Sequence, residues 1–357
     1  VPLDRAFRVA AGWVRDGVVP GVAIAVAHNG DLAGEWYGGK LSAGSGSPVA
    51  ADTLFSIDTI TRVFTATALL RLVEQGRLGL DEPVRRFVPA LATPDKREIT
   101  ARHLLSHTAG FPANDPAEET LWSEAASFER FVESAARLPL EAGPGERVVP
   151  SQPGYWVAAA LATAIAGVPF AELVQAEVLQ PFGFHNSFVH LPADAAGRAA
   201  RRYGHGRIFN TDYGRRLGSP AAGMFASARD LVRFASIFVR GGLTPEGERV
   251  LSAATVSAMT SGQTAGLPVN DGTYAAFCLG WGIKGETLAH VTGDFVSARA
   301  FFEVGRSGCL LLGDPGTGVS LAVLANRDLA TGWTSEVSRW GRLVNAIVAA
   351  VSAEVAQ

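Results

Sequence analysis

The sequence predicts a mixed α/β (α+β) fold, with a sheet assembled from both ends of the chain and a mainly helical stretch between them. Three observations predict it. Gly21-Val22-Ala23-Ile24-Ala25-Val26-Ala27 runs into an Asn29-Gly30 turn and a second strand-like run over residues 32–37. From about residue 60 to 240, apolar residues recur at helical spacing. After about residue 275, short strand-like runs return.

Residues 3–14 carry apolar side chains at helical spacing, so a helix precedes the first strand. Asn-Gly supplies the two positive-φ residues that a two-residue hairpin turn needs. Residues 60–75 form a strongly helical run closed by Gly76. A helix starts at the Thr100 cap within residues 99–110, and others are expected over 155–166, 170–179 and 227–239, the last ended by Gly241-Gly242. Strands are expected over 280–283, 298–304, 309–312 and 319–325, followed by a helix over about 334–351.

A chain of 357 residues, 48% of them hydrophobic, can bury a large core as one substantial domain or two interleaved ones. Its 31 basic and 34 acidic residues include no basic run long enough to follow a phosphate backbone, so nucleic acid is not an expected partner. Cys278 and Cys309 are too few for a disulfide framework and read as buried small hydrophobes. No run approaches the roughly 18 consecutive apolar residues of a membrane span. The start, Val1-Pro2-Leu3-Asp4, lacks the pattern of a signal peptide; a cytoplasmic location is slightly favoured, and prior removal of a signal peptide would make it a secreted one. No glycine-rich phosphate loop follows a strand, and no cofactor or metal is implied. His103 and His107 have i, i+4 helical spacing, but no third ligand is evident, and structural roles are expected for both.

Several segments, in one order, carry a resemblance. Phe55-Ser56-Ile57-Asp58-Thr59-Ile60-Thr61-Arg62 stands directly ahead of the long helix; residues 99–110, Pro144 to Gln152, Pro181-Phe182-Gly183-Phe184 and residues 219–242 follow; Cys309 to Pro315 closes the series. Together they resemble the superfamily of serine β-lactamases, penicillin-binding proteins and family VIII carboxylesterases, over about residues 21–348. The resemblance implies an antiparallel, β-lactamase-like sheet flanked by helices. It also implies a sheet domain from 1–80 and 217–357, a mainly helical domain from 81–216, and an active-site cleft between them.

In that superfamily a Ser at the start of the helix attacks a carbonyl, and a Lys one turn later eases removal of its proton. Here Thr59 stands at the nucleophile position and Arg62 at the base position. Threonine adds a methyl where a primary hydroxyl is expected, and a guanidinium cannot accept a proton, its pKa exceeding about 12. In the second motif Pro150 replaces the Tyr, Ser151 is retained and Gln152 replaces the Asn. The third motif has two candidate positions, Glu303-Val304-Gly305, favoured by counting back from Asp314-Pro315, and His290-Val291-Thr292-Gly293. The first would set an acid on the pocket wall.

The simpler readings are that Thr59 is a helix N-cap, that Arg62 is an ion-pair partner of Glu303, that Ser151 is a turn residue and that His290 lies on the surface. On the functional reading, Thr59, Arg62 and Glu303 carry chemistry, while Ser151, Gln152, Gly305 and His290 hold the ligand. Trp122, Trp156 and Trp281 are candidates for one pocket wall. Three functions follow: a repurposed cofactor-independent enzyme doing acid–base cyclisation, condensation or rearrangement on a small molecule, as in specialised metabolism; a ligand-binding pseudoenzyme; or an esterase or amidase using Thr59 with help from Ser151 or His290. The expected partner is a small-molecule substrate or ligand; the oligomeric state is left open.

Overall fold

The structure, a computed structural model, describes residues 2–44, 46–269, 276–286, 291–328 and 333–355. Its strands are β1 (Gly21–His28), β2 (Asp31–Gly39), β3 (Phe55–Ser56), β4 (Ser187–Phe188), β5 (Phe225–Ala226), β6 (Gly282–Ile283), β7 (Phe301–Gly305), β8 (Cys309–Asp314) and β9 (Val319–Ala325). The helices are α1 (Pro2–Arg15), α2 (Thr61–Glu74), α3 (Ala101–Leu105), α4 (Glu118–Ser123), α5 (Phe128–Arg137), α6 (Gln152–Ala166), α7 (Phe170–Val174), α8 (Asp212–Leu217), α9 (Ala228–Val239), α10 (Ala253–Thr260) and α11 (Trp333–Val355).

Six strands make one antiparallel sheet in the order β2-β1-β9-β8-β7-β6. The N-terminal hairpin therefore closes against the last strand of the chain, with Ile24 opposite Val323. A small second sheet, β3-β5-β4, lies at the entrance to α2.

Side-chain alternation along β1 separates two cores. Val22, Ile24 and Val26 pack with Leu3, Phe7 and Trp13 of α1 and with Leu343 and Ile347 of α11. Trp13 and Trp340 meet edge to face with centroids 5.4 Å apart. On the other face the strand presents only Ala23, Ala25 and Ala27, whose short side chains leave room for α9. That second core surrounds α2, whose Phe64 stacks on Phe234 of α9 at 4.3 Å. Burial on all sides explains why residues 63–72 of α2 read as a nearly continuous apolar run.

Local corrections to the sequence reading have identifiable causes. The helix begun at Thr100 does use a capping box with His103, but it ends at Leu105, and His107 sits at φ +60°. The two histidines thus do not share a helical face. The strand expected from residue 280 begins at Gly282, because a Cys278 N–H to Trp281 carbonyl bond folds residues 278–281 into a tight turn. The strand expected from residue 298 begins at Phe301, since Ser297 and Ala300 close a turn of their own.

Candidate active site

A cavity of about 740 Å³ opens where the start of α2, the strand β7 and the segment 113–122 meet. The chain enters it from β3 through a 3₁₀ turn, Asp58–Ile60, that runs directly into α2. Asp58 lies at φ +52°, a conformation that costs a non-glycine residue on the order of 1 kcal/mol. Its buried carboxylate is held in place by the Arg202 guanidinium at 2.6 Å and by the Ser307 N–H at 3.2 Å. This turn sets Thr59 and Arg62, three residues apart, on the cavity lining.

Thr59 is not a cap. The N-caps of the turn and of α2 are Ile57 and Ile60, neither with a side-chain capping bond. The Thr59 hydroxyl instead donates to the Val304 carbonyl at 2.8 Å, tying the turn to β7. The expected ion pair between Arg62 and Glu303 does not form either. Arg62 is 8% exposed, it meets no carboxylate at ion-pair distance among the described residues, and its buried Nε has no hydrogen-bond partner. Its guanidinium carbon lies 5.6 Å from the Tyr155 ring centroid.

Glu303 lies in the middle of β7, opposite Leu311, and is 9% exposed. Burial pushes its carboxyl up to about 7; the charge of Arg62 and the hydroxyl of Thr59 pull the other way, and the Asp58 charge adds to the rise. The result is a carboxyl that both gains and loses a proton near neutrality, beside a permanent cation.

A second wall comes from residues 113–122. Gln152, at the start of α6, lines the cavity and donates its amide N–H to Glu118 of α4. Glu118 is likewise pushed up to about 7, by burial first and by the Asp115 charge second; Gln152 and the charge of Arg306 oppose the shift. Asp115 is 4% exposed; one carboxylate oxygen accepts the Ala117 N–H at 2.8 Å, and the other has no partner. Of the three tryptophans singled out, Trp122 lines the cavity, while Trp156 and Trp281 are buried in the core.

Two residues assigned to ligand binding have structural positions instead. Ser151 caps α6: its hydroxyl accepts the Gly154 N–H at 3.0 Å and donates to the Pro112 carbonyl at 2.7 Å, away from the cavity lining. Its own N–H donates to His107 Nδ1 at 3.1 Å; burial, reinforced by the Arg62 charge, holds that imidazole well below its ordinary pKa, neutral and able to accept. Gly305 is a close-packing position, where a Cβ would come within 2.9 Å of the Ile57 carbonyl oxygen. His290 lies outside the described residues. Val291 belongs to the core shared by α1 and α11, and Gly293 lies against Gly341 and Asn345 of α11, across the sheet from α2, so it is Glu303-Val304-Gly305 that belongs to the strand beside the cavity. Among the described residues, no group of three or more His, Cys, Asp or Glu side chains is placed to hold a metal ion.

A family model described as Beta-lactamase matches residues 4–336. The chain belongs to the β-lactamase family. Within it, the chain is 29% identical over 334 residues to penicillin-binding protein 4 of Amycolatopsis lactamdurans, covering 90% of this chain and 84% of that one. It is 28% identical over 286 residues to esterase EstB of Burkholderia gladioli, covering 68% and 71%. The solved structure of EstCE1, described as a hydrolase with promiscuous acyltransferase activity, superposes with a TM-score of 0.82 at 21% identity, over 97% of this chain and 98% of that one. Two Mycobacterium tuberculosis relatives are matched over only 61% of their own length.

Asp58, Asp115, Glu118, Arg202, His205 and Arg306 line the same cavity without having been singled out from sequence. A signal existed for one segment: Asn114-Asp115-Pro116 is a turn sequence followed by two acids, Glu118 and Glu119.

Proposed function

We propose that this β-lactamase-fold chain is a repurposed enzyme doing acid–base chemistry on a small molecule, of the kind a cyclisation, condensation or rearrangement requires. The observation that carries the reading is the juxtaposition of an unpaired, buried Arg62 with a Glu303 carboxyl pushed up to about 7. As carboxylate, Glu303 takes a proton from the carbon next to a substrate carbonyl. The electron pair moves onto the carbonyl oxygen, where the Arg62 guanidinium holds the developing charge. Glu303 then returns the proton to a second position, or a new bond forms there. A base with a pKa near the working pH suits both halves of that cycle. Arg62 is fitted to hold an oxyanion and unfitted to replace a lysine base.

A second reading has its own support. Thr59 and Glu303 line the same cavity, the Thr59 hydroxyl opposes the rise in the Glu303 pKa, and EstB and EstCE1 are named as an esterase and a hydrolase. On that reading Glu303 removes the Thr59 proton and Thr59 is acylated. Incubating the protein in D₂O with a panel of small ketones, esters and amides, with NMR detection of deuterium next to the carbonyl, separates the two. Exchange that Glu303→Gln abolishes, together with an unchanged intact mass after exposure to an activated ester and a β-lactam, supports acid–base chemistry. An acyl adduct on Thr59, with turnover lost in Thr59→Ala, overturns it in favour of the hydrolase. Neither exchange nor adduct leaves a ligand-binding protein.

A further inference from the structure

The proposed chemistry uses Arg62 and Glu303 but leaves the segment 113–122 without a task. Its charge is unbalanced. Asp58 is paired with Arg202, which leaves Asp115, Glu118, Glu119 and Glu303 in the described lining against Arg62 and Arg306. Arg306 is exposed and forms no ion pair with any of the four among the described residues. Asp115 is the telling residue: it is 4% exposed, and its second carboxylate oxygen is buried without a hydrogen-bond donor. An unsatisfied buried acceptor of this kind is destabilising, more so when it carries charge, unless a ligand supplies the donor. Glu118 stands three residues on, and the half-buried Trp122 indole shares the same wall, so carboxylates and an aromatic ring converge on one part of the lining.

We propose that the Asp115–Glu118–Trp122 wall binds the ammonium group of an amine-bearing substrate whose carbonyl is held at Arg62. Protonated amines supply three donors and a compact positive charge, which matches two carboxylates and a ring face. The substrate class is thus an aminated carbonyl compound, with the ammonium and carbonyl separated by a short chain. This deepens the acid–base reading and rests on it for the placement of the carbonyl.

The test is a binding measurement that needs no turnover. Calorimetric titration with 6-aminohexanamide and hexanamide compares ligands differing only in the terminal ammonium. The expected result is that the protein binds the amine about tenfold or more tightly than its partner, the range of a charge-assisted hydrogen bond. Asp115→Asn, which keeps the acceptor for the Ala117 N–H, and Glu118→Gln are each expected to erase most of that preference while leaving hexanamide affinity unchanged, which also reports that the fold is intact. Equal affinity for the two probes, no binding of either, or a preference that survives both substitutions overturns the proposal. Arg62→Ala is expected to weaken both probes by the same factor. If it leaves both unchanged, the placement of the carbonyl fails while the ammonium site stands.

Discussion

Glu303 and Glu118 reach one cavity from very different parts of the fold, and comparing them shows how the site divides its work. Both are pushed up to about 7 by burial. At Glu303, on a regular strand, the largest influence after burial is the Arg62 cation, which favours ionisation. At Glu118, on a six-residue helix, it is the Asp115 anion, which opposes it. Equal pKa values therefore conceal opposite needs. On the proposed reading Glu303 exchanges a proton beside the Arg62 charge, whereas Asp115 and Glu118, which form no ion pair among the described residues, take the cation of a ligand.

The comparison breaks most directly at Glu303 itself. Glu303→Gln should lower deuterium exchange or turnover by about 100-fold or more, the range of a lost general base, while Glu118→Gln should act mainly on affinity; equal losses in kcat from both would erase the distinction. Next in size is the dependence of stability on pH. Each carboxyl has a folded pKa raised from 4.5 to about 7, so the folded state holds the proton longer than the unfolded one. Stability is then full below about pH 4.5 and falls as pH rises through 7, by on the order of 3 kcal/mol for Glu303. Chemical denaturation of Glu303→Gln at pH 5 and pH 8 should show a correspondingly flatter profile.

Arg62→Ala sharpens the contrast from the other side. Removing the cation that favours the Glu303 carboxylate should move the alkaline-rising limb of the rate profile to higher pH, with no comparable movement in Glu118→Gln; an unmoved midpoint would detach Arg62 from Glu303. The smallest effect is expected at Ser151→Ala, which removes a helix cap worth about 1 kcal/mol. Urea midpoints should register that loss while probe binding stays constant.

The legible parts of the molecule were those governed by local rules. Asn29-Gly30 turns the first hairpin with both residues at positive φ, and Thr100, Ser227 and Gly76 bound their helices as expected. Thr59, Arg62 and Glu303 were found because a motif order and the count back from Asp314-Pro315 point to them; in the structure Glu303 shares a strand face with the buried Phe301. Ser151 was misassigned because a cap and a ligand-binding hydroxyl look alike in sequence; only its bonds to Gly154 and Pro112 distinguish them. Asp115, Glu118 and Arg202 lie in irregular segments with no periodicity to say which way they face.

By itself the sequence determined the terminal helices, the first hairpin, the returning C-terminal strands and the identity of the residues at the head of α2, because periodicity, turns and caps act over a few neighbouring residues. The tertiary structure alone decided that Arg62 stays unpaired, that Glu303 and Glu118 keep their protons to near neutrality and that Asp115 joins them. Those properties depend on which charges share a low-dielectric cavity, Arg62 and Glu303 from opposite ends of the chain and Asp115 and Glu118 from one segment, and burial is the largest influence on both glutamates.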